Sequence, residues 1–149
     1  MKPELPLSQG LRKLVEARLE HTLKGIEDTL QHIMESQEIS LKDLKEDIQS
    51  LEESFTRLSQ KWNLEILYTL FLKNTISFSE LKKTLGVNSR TLSDKLKTLK
   101  QYGYIERKVK SGPPLRVEYV LTNRGKTTVL LALPLLYYSS GLTSSETNR

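Results

Sequence analysis

One stretch of the chain, residues 78–122, restricts the fold more than any other part of the sequence. Its pattern runs in the order helix, tight turn, basic helix, strand, Gly-Pro-Pro loop and strand. Gly86 and Gly103 follow the two helical segments, and glycine readily takes the left-handed conformation that often ends a helix. This order of elements predicts a winged helix-turn-helix, in which one helix enters the major groove of DNA and a hairpin lies beside it.

Positive charge is concentrated on this part of the chain. Residues 60–126 contain 14 Lys and Arg against 5 Asp and Glu, a net charge of +9, whereas residues 1–59 contain 8 against 12, a net charge of −4. A basic segment attracts polyanions such as nucleic acid. The alternative is an ordinary lysine-rich surface that keeps the protein in solution.

The segments on either side complete the predicted domain. Residues 61–74 are dense in apolar side chains and predict a core helix, followed by a short strand at 76–78 and a helix capped by Ser79. A leucine-rich helix is predicted to start at residue 122 or 123, and Pro134 is expected to kink or end it. We therefore predict a mainly α fold with a small β-hairpin wing, divided into an arm (1–59), a DNA-binding domain (60–136) and a disordered tail (137–149).

The arm carries two apolar seams of the coiled-coil kind, with steps of three and four residues. The first seam is Leu19, Leu23, Ile26, Leu30 and Ile33, and the second is Leu41, Leu44, Ile48, Leu51, Phe55, Leu58 and Trp62. A polar helix with one narrow apolar stripe is marginal alone in water. We therefore predict a homodimer through Leu23, Ile26, Leu30, Ile33, Leu44, Ile48, Leu51, Phe55 and Leu58, with packing against the same chain as the alternative.

The two seams are out of phase, and this leaves two arrangements open. One is a continuous helix with a stutter. The other is two helices that meet near residues 37–40, and we favour it because Ser40 with Asp43 resembles a helix N-cap.

The basic helix at 89–101 supplies the candidate reading residues. Leu92, Leu96 and Leu99 fall on one face and must be core, because successive residues turn by about 100° around a helix. The remaining faces carry the arginine, lysine and short polar side chains that reach phosphates and base edges. Arg90 is predicted to contact guanine, with Asp94 orienting it through an i, i+4 pair. The candidates on this helix are Ser89, Arg90, Thr91, Ser93, Asp94 and Lys97.

The hairpin supplies a second candidate contact with DNA. Its loop is restricted by Gly112 and two prolines, and positive charge at such a tip suits phosphate or minor-groove contact. The alternative is a charge pattern that only protects an edge strand. The candidate wing residues are Lys108, Lys110, Gly112 and Arg116.

These pieces resemble a known family, the HxlR-type winged-helix regulators, which are relatives of the MarR group. The resemblance rests on Lys61-Trp62, ISFSELKKTL, SRTLSDKLKTL, YGYIERKV and PPLRVEYVLTNRGK in that order, over about residues 60–136. It implies a homodimeric transcription factor that binds palindromic double-stranded DNA. By position, the resemblance gives the recognition role to residues 89–97 and the wing role to residues 110–116.

The chain also departs from that family. It has Gln60 where the family usually has glycine, and its N-terminal extension is longer than usual. Several members sense oxidants through a cysteine, and the absence of cysteine here excludes thiol sensing. The family's terminal helices build the dimer, and by analogy the C-terminal leucines join the seam or pack within their own chain: Leu130, Leu131, Leu133, Leu135 and Leu136.

Other classes of function have little support in the sequence. There is no phosphate loop or dinucleotide fingerprint, and His21 and His32 lie about 16 Å apart along a helix, too far to share a metal ion. We therefore expect no enzyme activity, metal or cofactor, and we leave any small-molecule effector unknown. No apolar run reaches the roughly 20 residues that span a bilayer, so we expect a cytoplasmic, nucleoid-associated protein. The competing hypotheses are an architectural DNA-coating protein and a protein-interaction adaptor.

Overall fold

The computed structural model describes residues 6–36 and 40–139. Within those residues the chain forms six helices and three strands. In order they are α1 (Pro6–Ser36), α2 (Leu41–Leu58), α3 (Asn63–Lys73), β1 (Thr75–Ser77), α4 (Phe78–Leu85), α5 (Ser89–Gln101), β2 (Ile105–Lys110), β3 (Arg116–Leu121) and α6 (Asn123–Ser139). The predicted mainly α, winged helix-turn-helix fold is confirmed, and the segment before it is helical.

The chain divides into two compact units. Residues 52–132 form the winged unit, which contains the helix-turn-helix, the sheet and the last turns of α2. The other unit comprises the described parts of residues 1–51 together with the end of α6. The predicted tail therefore begins inside a helix, and its residues 140–149 lie outside the described part of the chain.

The core of the winged unit is built from one face of each of its helices. Ile66, Leu67 and Leu70 of α3 are at most 1% exposed, as their helical spacing predicts. Burial of one such side chain stabilises the fold by about 1.5–3 kcal/mol, so these contacts fix which side of each helix remains outside. The other core residues are Ile76, Leu81, Val87, Leu92, Leu96, Leu99, Ile105, Tyr119 and Val129.

The three strands form an antiparallel sheet in the order β1-β3-β2. The central strand β3 pairs Tyr119 with Ile76 on one side and with Arg107 on the other. Tyr119 is buried, so this face of β3 packs on the core. The neighbouring residues of β3 point to the opposite face because side chains alternate along a strand.

The start of α4 differs from its predicted position. Ser77, not Ser79, caps the helix: it has an extended backbone, and its Oγ accepts a hydrogen bond from the Glu80 N–H at 3.2 Å. The prediction placed the strand one residue too late, because Phe78 already packs its ring against the core as the first helical residue. Gly86 ends α4 at φ 65°, as predicted.

The junction between α2 and α3 also differs. The second seam was extended to Trp62, but α2 ends at Leu58, and Trp62 takes a left-handed backbone with φ 77°. Its side chain, like that of Leu58, packs against the core of the winged unit. Asn63, 1% exposed, holds this turn by donating from Nδ2 to the Arg57 carbonyl at 2.9 Å.

In its described residues, 6–36 and 40–59, the arm forms two helices, as favoured. Ser40 caps α2: its Oγ accepts from the Asp43 N–H at 3.1 Å and donates to the Asp43 carboxylate at 2.6 Å. The rest of the predicted meeting point, residues 37–39, lies outside the described residues.

At the other end of the chain, α6 continues through Pro134. Proline's fixed φ of about −65° is helical, so it removes one hydrogen bond without ending the helix.

Candidate nucleic-acid interface

Helix α5 presents the predicted reading residues on the sides away from its core leucines. Asn88 caps the helix, and its side-chain oxygen accepts a hydrogen bond from the Thr91 backbone N–H at 2.8 Å. Leu92, Leu96 and Leu99 are at most 2% exposed, which fixes the rotation of the helix about its axis. Thr91 is half-buried, and the other five predicted residues are exposed: Ser89, Arg90, Ser93, Asp94 and Lys97.

The predicted ion pair between Arg90 and Asp94 is wrong. Both side chains belong to the described part of the chain, and no ion pair joins them there. Both are exposed, and an exposed i, i+4 pair gains only about 0.3–0.5 kcal/mol against the entropy of fixing two side chains. The Arg90 guanidinium is therefore available to a ligand in front of the helix.

Lys95 is the one described lysine of α5 that the structure ties to a neighbouring segment. Its Nζ donates a hydrogen bond to Gln60 Oε1 at 3.2 Å. Gln60 is also the residue at which the chain departs from the pattern of the family it resembles, and it contacts α5 directly. Sequence reasoning missed this contact, because the two residues are 35 positions apart in the chain and no local pattern links them.

A second basic surface lies next to the start of α5. Lys82 and Lys83 of α4 line an open groove of about 580 Å³ together with Ser79 and Ser89. In helix-turn-helix proteins the first helix crosses the phosphate backbone. Sequence reasoning overlooked the two lysines, although the inward positions of Leu81 and Leu85 leave both of them on the outer side of α4.

The predicted cations on the strands of the wing lie on the face of the sheet opposite to Tyr119. Lys108 lies opposite Glu118, and Lys110 lies opposite Arg116, in the register of β2 and β3. Directly opposite residues share a face, so three predicted wing cations and one carboxylate stand together. Gly112, the fourth predicted residue, is exposed in the connecting loop with φ 149°. The structure thus brings the wing candidates together.

One of these cations is engaged within the wing. Lys110 Nζ lies 3.1 Å from Glu118 Oε2, close enough for an ion pair, although the groups are not aligned as a hydrogen bond. The carboxylate side chain is 15% exposed and the lysine side chain 65% exposed. A phosphate near the wing must therefore compete with Glu118 for Lys110.

Two other kinds of feature were sought among the described residues, a metal site and a membrane-spanning helix. Among them no three His, Asp or Glu side chains are placed to hold a metal ion. In the same residues no helix combines the length and apolarity needed to cross a membrane.

The chain matches known proteins over the region just described. A family profile described as HxlR-like helix-turn-helix matches residues 57–138. The uncharacterized HTH-type transcriptional regulator YdzF of Bacillus subtilis (strain 168) is 36% identical over 77 residues, which are 51% of this chain and 71% of that protein.

Solved structures show the same fold. A MarR-family regulator from Enterococcus faecalis V583 superposes with a TM-score of 0.58 and 28% identity, over 62% of this chain and 84% of that chain. The reduced form of the transcriptional regulator YodB from B. subtilis gives a TM-score of 0.56 and 23% identity, over 75% of this chain and all of that chain.

Proposed function

Because the chain belongs to the HxlR-like helix-turn-helix family of transcriptional regulators, we propose that it binds a palindromic DNA site as a homodimer. Each α5 lies in a major groove, and each wing lies on the flanking backbone or minor groove. The surface for base contacts is formed by Arg90, Ser93, Asp94 and Lys97, and the surfaces for phosphate contacts are the wing and α4.

The observation that carries this proposal is the exposed face of α5. Its buried leucines fix the rotation of the helix, so Arg90, Ser93, Asp94 and Lys97 remain exposed to solvent. A guanidinium can donate to both major-groove acceptors of guanine. Lys82 and Lys83, which line a groove with Ser89 at the start of this helix, and the wing cations add charges suited to phosphates.

The apolar seams of the arm support the homodimer. Eight of the nine predicted dimer residues are between 39% and 68% exposed, and Leu58, the ninth, is half-buried against the winged core. Three of the C-terminal leucines are also largely exposed: Leu130, Leu131 and Leu135. Contiguous exposed apolar side chains of this kind are typical of protein interfaces. Pairing with a second copy buries both copies of a seam at once.

Selection from random DNA with the purified chain, followed by sequencing, tests the proposal. We expect two inverted half-sites spaced by about one helical turn, roughly 34 Å, and binding that weakens steeply with salt as counterions are displaced. Salt-dependent binding without a recovered motif would instead indicate an architectural, DNA-coating protein. No binding at physiological salt would overturn the proposal.

Arg90→Ala is expected to lose discrimination at one base pair of each half-site. The loss should be about 1–3 kcal/mol at that position, since a bidentate contact to guanine disappears. Competition binding against a panel of single-base variants measures it. Arg18→Ala on α1 removes the same charge from an exposed position and should preserve the base preference. An unchanged preference in Arg90→Ala would contradict the role of Arg90.

Lys110→Ala is expected to weaken all DNA sequences alike, because a lysine on the wing contacts phosphates and not bases. The loss should be larger in a Glu118→Gln background, where the amine no longer has a carboxylate partner. Salt titrations of the wild type, the two single variants and the double variant check this. Glu118→Gln alone should steepen the plot of the logarithm of the binding constant against that of the salt concentration by up to about one released ion. A sequence-dependent effect of Lys110→Ala would contradict it.

A further inference from the structure

A small pocket of about 200 Å³ lies in the winged unit at the C-terminal end of α5. The residues around it come from three segments that meet there: the last turns of α2, the end of α5 with the turn after it, and the first turn of α6. They are Ser54, Arg57, Gln101, Tyr102, Tyr104 and Arg124. No element of the proposed DNA-binding surface apart from the end of α5 takes part.

Two guanidinium groups line this pocket, and each is held on an aromatic ring. The Arg57 guanidinium carbon lies 5.2 Å from the centre of the Tyr102 ring, and that of Arg124 lies 5.4 Å from the centre of the Tyr104 ring. A cation over an aromatic face is attracted by the ring quadrupole. This contact limits the motion of the guanidinium, whose N–H donors lie in its own plane and can still donate to a ligand.

Neither arginine has an acidic partner among the described residues. The ion pair found there joins Lys110 to Glu118, and the side chains around the pocket include no Asp or Glu. Both arginines are exposed to solvent, which screens their mutual repulsion. Two like charges without acidic partners nevertheless give the pocket a positive field that attracts an anion.

The neighbouring helix ends are compatible with a bound anion. The last carbonyl groups of α5 are used internally: Thr98, Leu99 and Lys100 accept hydrogen bonds from the N–H groups of Tyr102, Tyr104 and Gly103. Arg124 lies in the first turn of α6, and the N-terminal end of a helix favours negative charge.

From this arrangement we infer that the pocket binds a small molecule that carries carboxylate or phosphate groups. Arg57 and Arg124 bind its oxygens through their guanidinium forks, which match the geometry of both groups. The hydroxyl of Ser54 and the amide of Gln101 supply neutral polar partners. A bound anion joins the end of α2 to the end of the reading helix, so the site is placed to sense a metabolite.

Calorimetric titration of the full chain without DNA tests the inference. Inorganic pyrophosphate and citrate are the two probes, at constant ionic strength set with chloride. They distinguish the two sources of oxyanion, because preference for pyrophosphate indicates a phosphate ligand and preference for citrate a carboxylate ligand. Arg57→Gln and Arg124→Gln are the test variants. Arg18→Gln, which removes the same charge from an exposed position on α1, is the control.

We expect saturable binding of at least one probe to the wild-type chain and to Arg18→Gln. Each test variant should bind about tenfold more weakly or worse, since one charge-assisted contact is lost. Arg57→Lys, which keeps the charge but loses the fork, should also bind more weakly than wild type. Melting curves without probe show whether each variant is folded. No binding up to about 10 mM of either probe, or equal weakening in Arg18→Gln, would overturn the inference. Because DNA is absent, this outcome is independent of the proposed DNA-binding function.

Discussion

Replacing Leu44 and Leu51 together by aspartate is expected to convert the protein into monomers and to lower its affinity for a palindromic site by about 100-fold or more. The two leucines lie on one seam of α2 and are 45% and 68% exposed. Paired with a second copy, they would be buried, and two carboxylates in an apolar seam could not be accommodated. A monomer then contacts only one half-site and loses the gain from binding both at once.

Sedimentation at micromolar concentration and DNA binding to full and half-sites measure this effect. Gln49→Asp with Thr56→Asp is the matched control, since it places the same charges seven residues apart at exposed positions off the seam. The control should remain dimeric. Affinity for an isolated half-site should fall little in either variant. A dimer that persists in the Leu44→Asp, Leu51→Asp variant would show that the seam is not the interface.

Gly125→Ala is expected to destabilise the winged unit by about 3 kcal/mol or more. A methyl group at this position would overlap the Tyr104 carbonyl oxygen and approach the Leu121 side chain. The carbonyl cannot simply move away, because it accepts a hydrogen bond from the Thr122 N–H at 3.1 Å. Thr122 in turn donates its hydroxyl to the Gly103 carbonyl at 2.6 Å and accepts from the Gly125 N–H at 3.0 Å. Overpacking normally costs about 1–3 kcal/mol, and overlap with backbone is the severe case.

Denaturant titration followed by circular dichroism checks the expected loss. Gly25→Ala is the control: it also lies inside a helix, and a methyl group there meets nothing within 4 Å. It should stabilise its helix by up to about 1 kcal/mol, because alanine is the better helix former. Equal stabilities for the two variants would mean that α6 can shift away from the turn at Tyr104 without lowering the free energy of unfolding.

The winged unit was largely predictable from the sequence because its signals are local and agree with one another. Gly86 and Gly103 end their helices with φ 65° and 79°, as their positions after leucine-rich segments predict. The spacing of Leu92, Leu96 and Leu99 gave the buried face of α5 and, by exclusion, its exposed face. Helical periodicity therefore identifies the buried face of a helix reliably, whether or not the exposed face has a binding partner.

Features that depend on tertiary contacts were not predictable. Trp62 continues the spacing of the second seam, but a hydrogen bond from Asn63 to the Arg57 carbonyl closes a turn before it. The expected ion pair of Arg90 with Asp94 is absent, whereas Lys95 donates a hydrogen bond to Gln60 and Lys110 forms an ion pair with Glu118. Partners of exposed charges are chosen by small energies and by distant segments. For the same reason no local pattern indicated that Arg57 and Arg124 share a pocket.

The hydrogen bond between Lys95 and Gln60 has a consequence for retargeting the protein. Lys95 is bonded to Gln60 in the turn between α2 and α3, so the exposed positions 90, 93 and 97 can be changed without altering this contact or the core. Substitutions at positions 90, 93 and 97 should therefore alter stability by no more than about 0.5 kcal/mol. These substitutions leave the cations of α4 and the wing in place, so we expect the proposed general affinity for DNA to be largely retained. Under the proposed function, a library at these three positions is therefore a route to variants that recognise new DNA sequences.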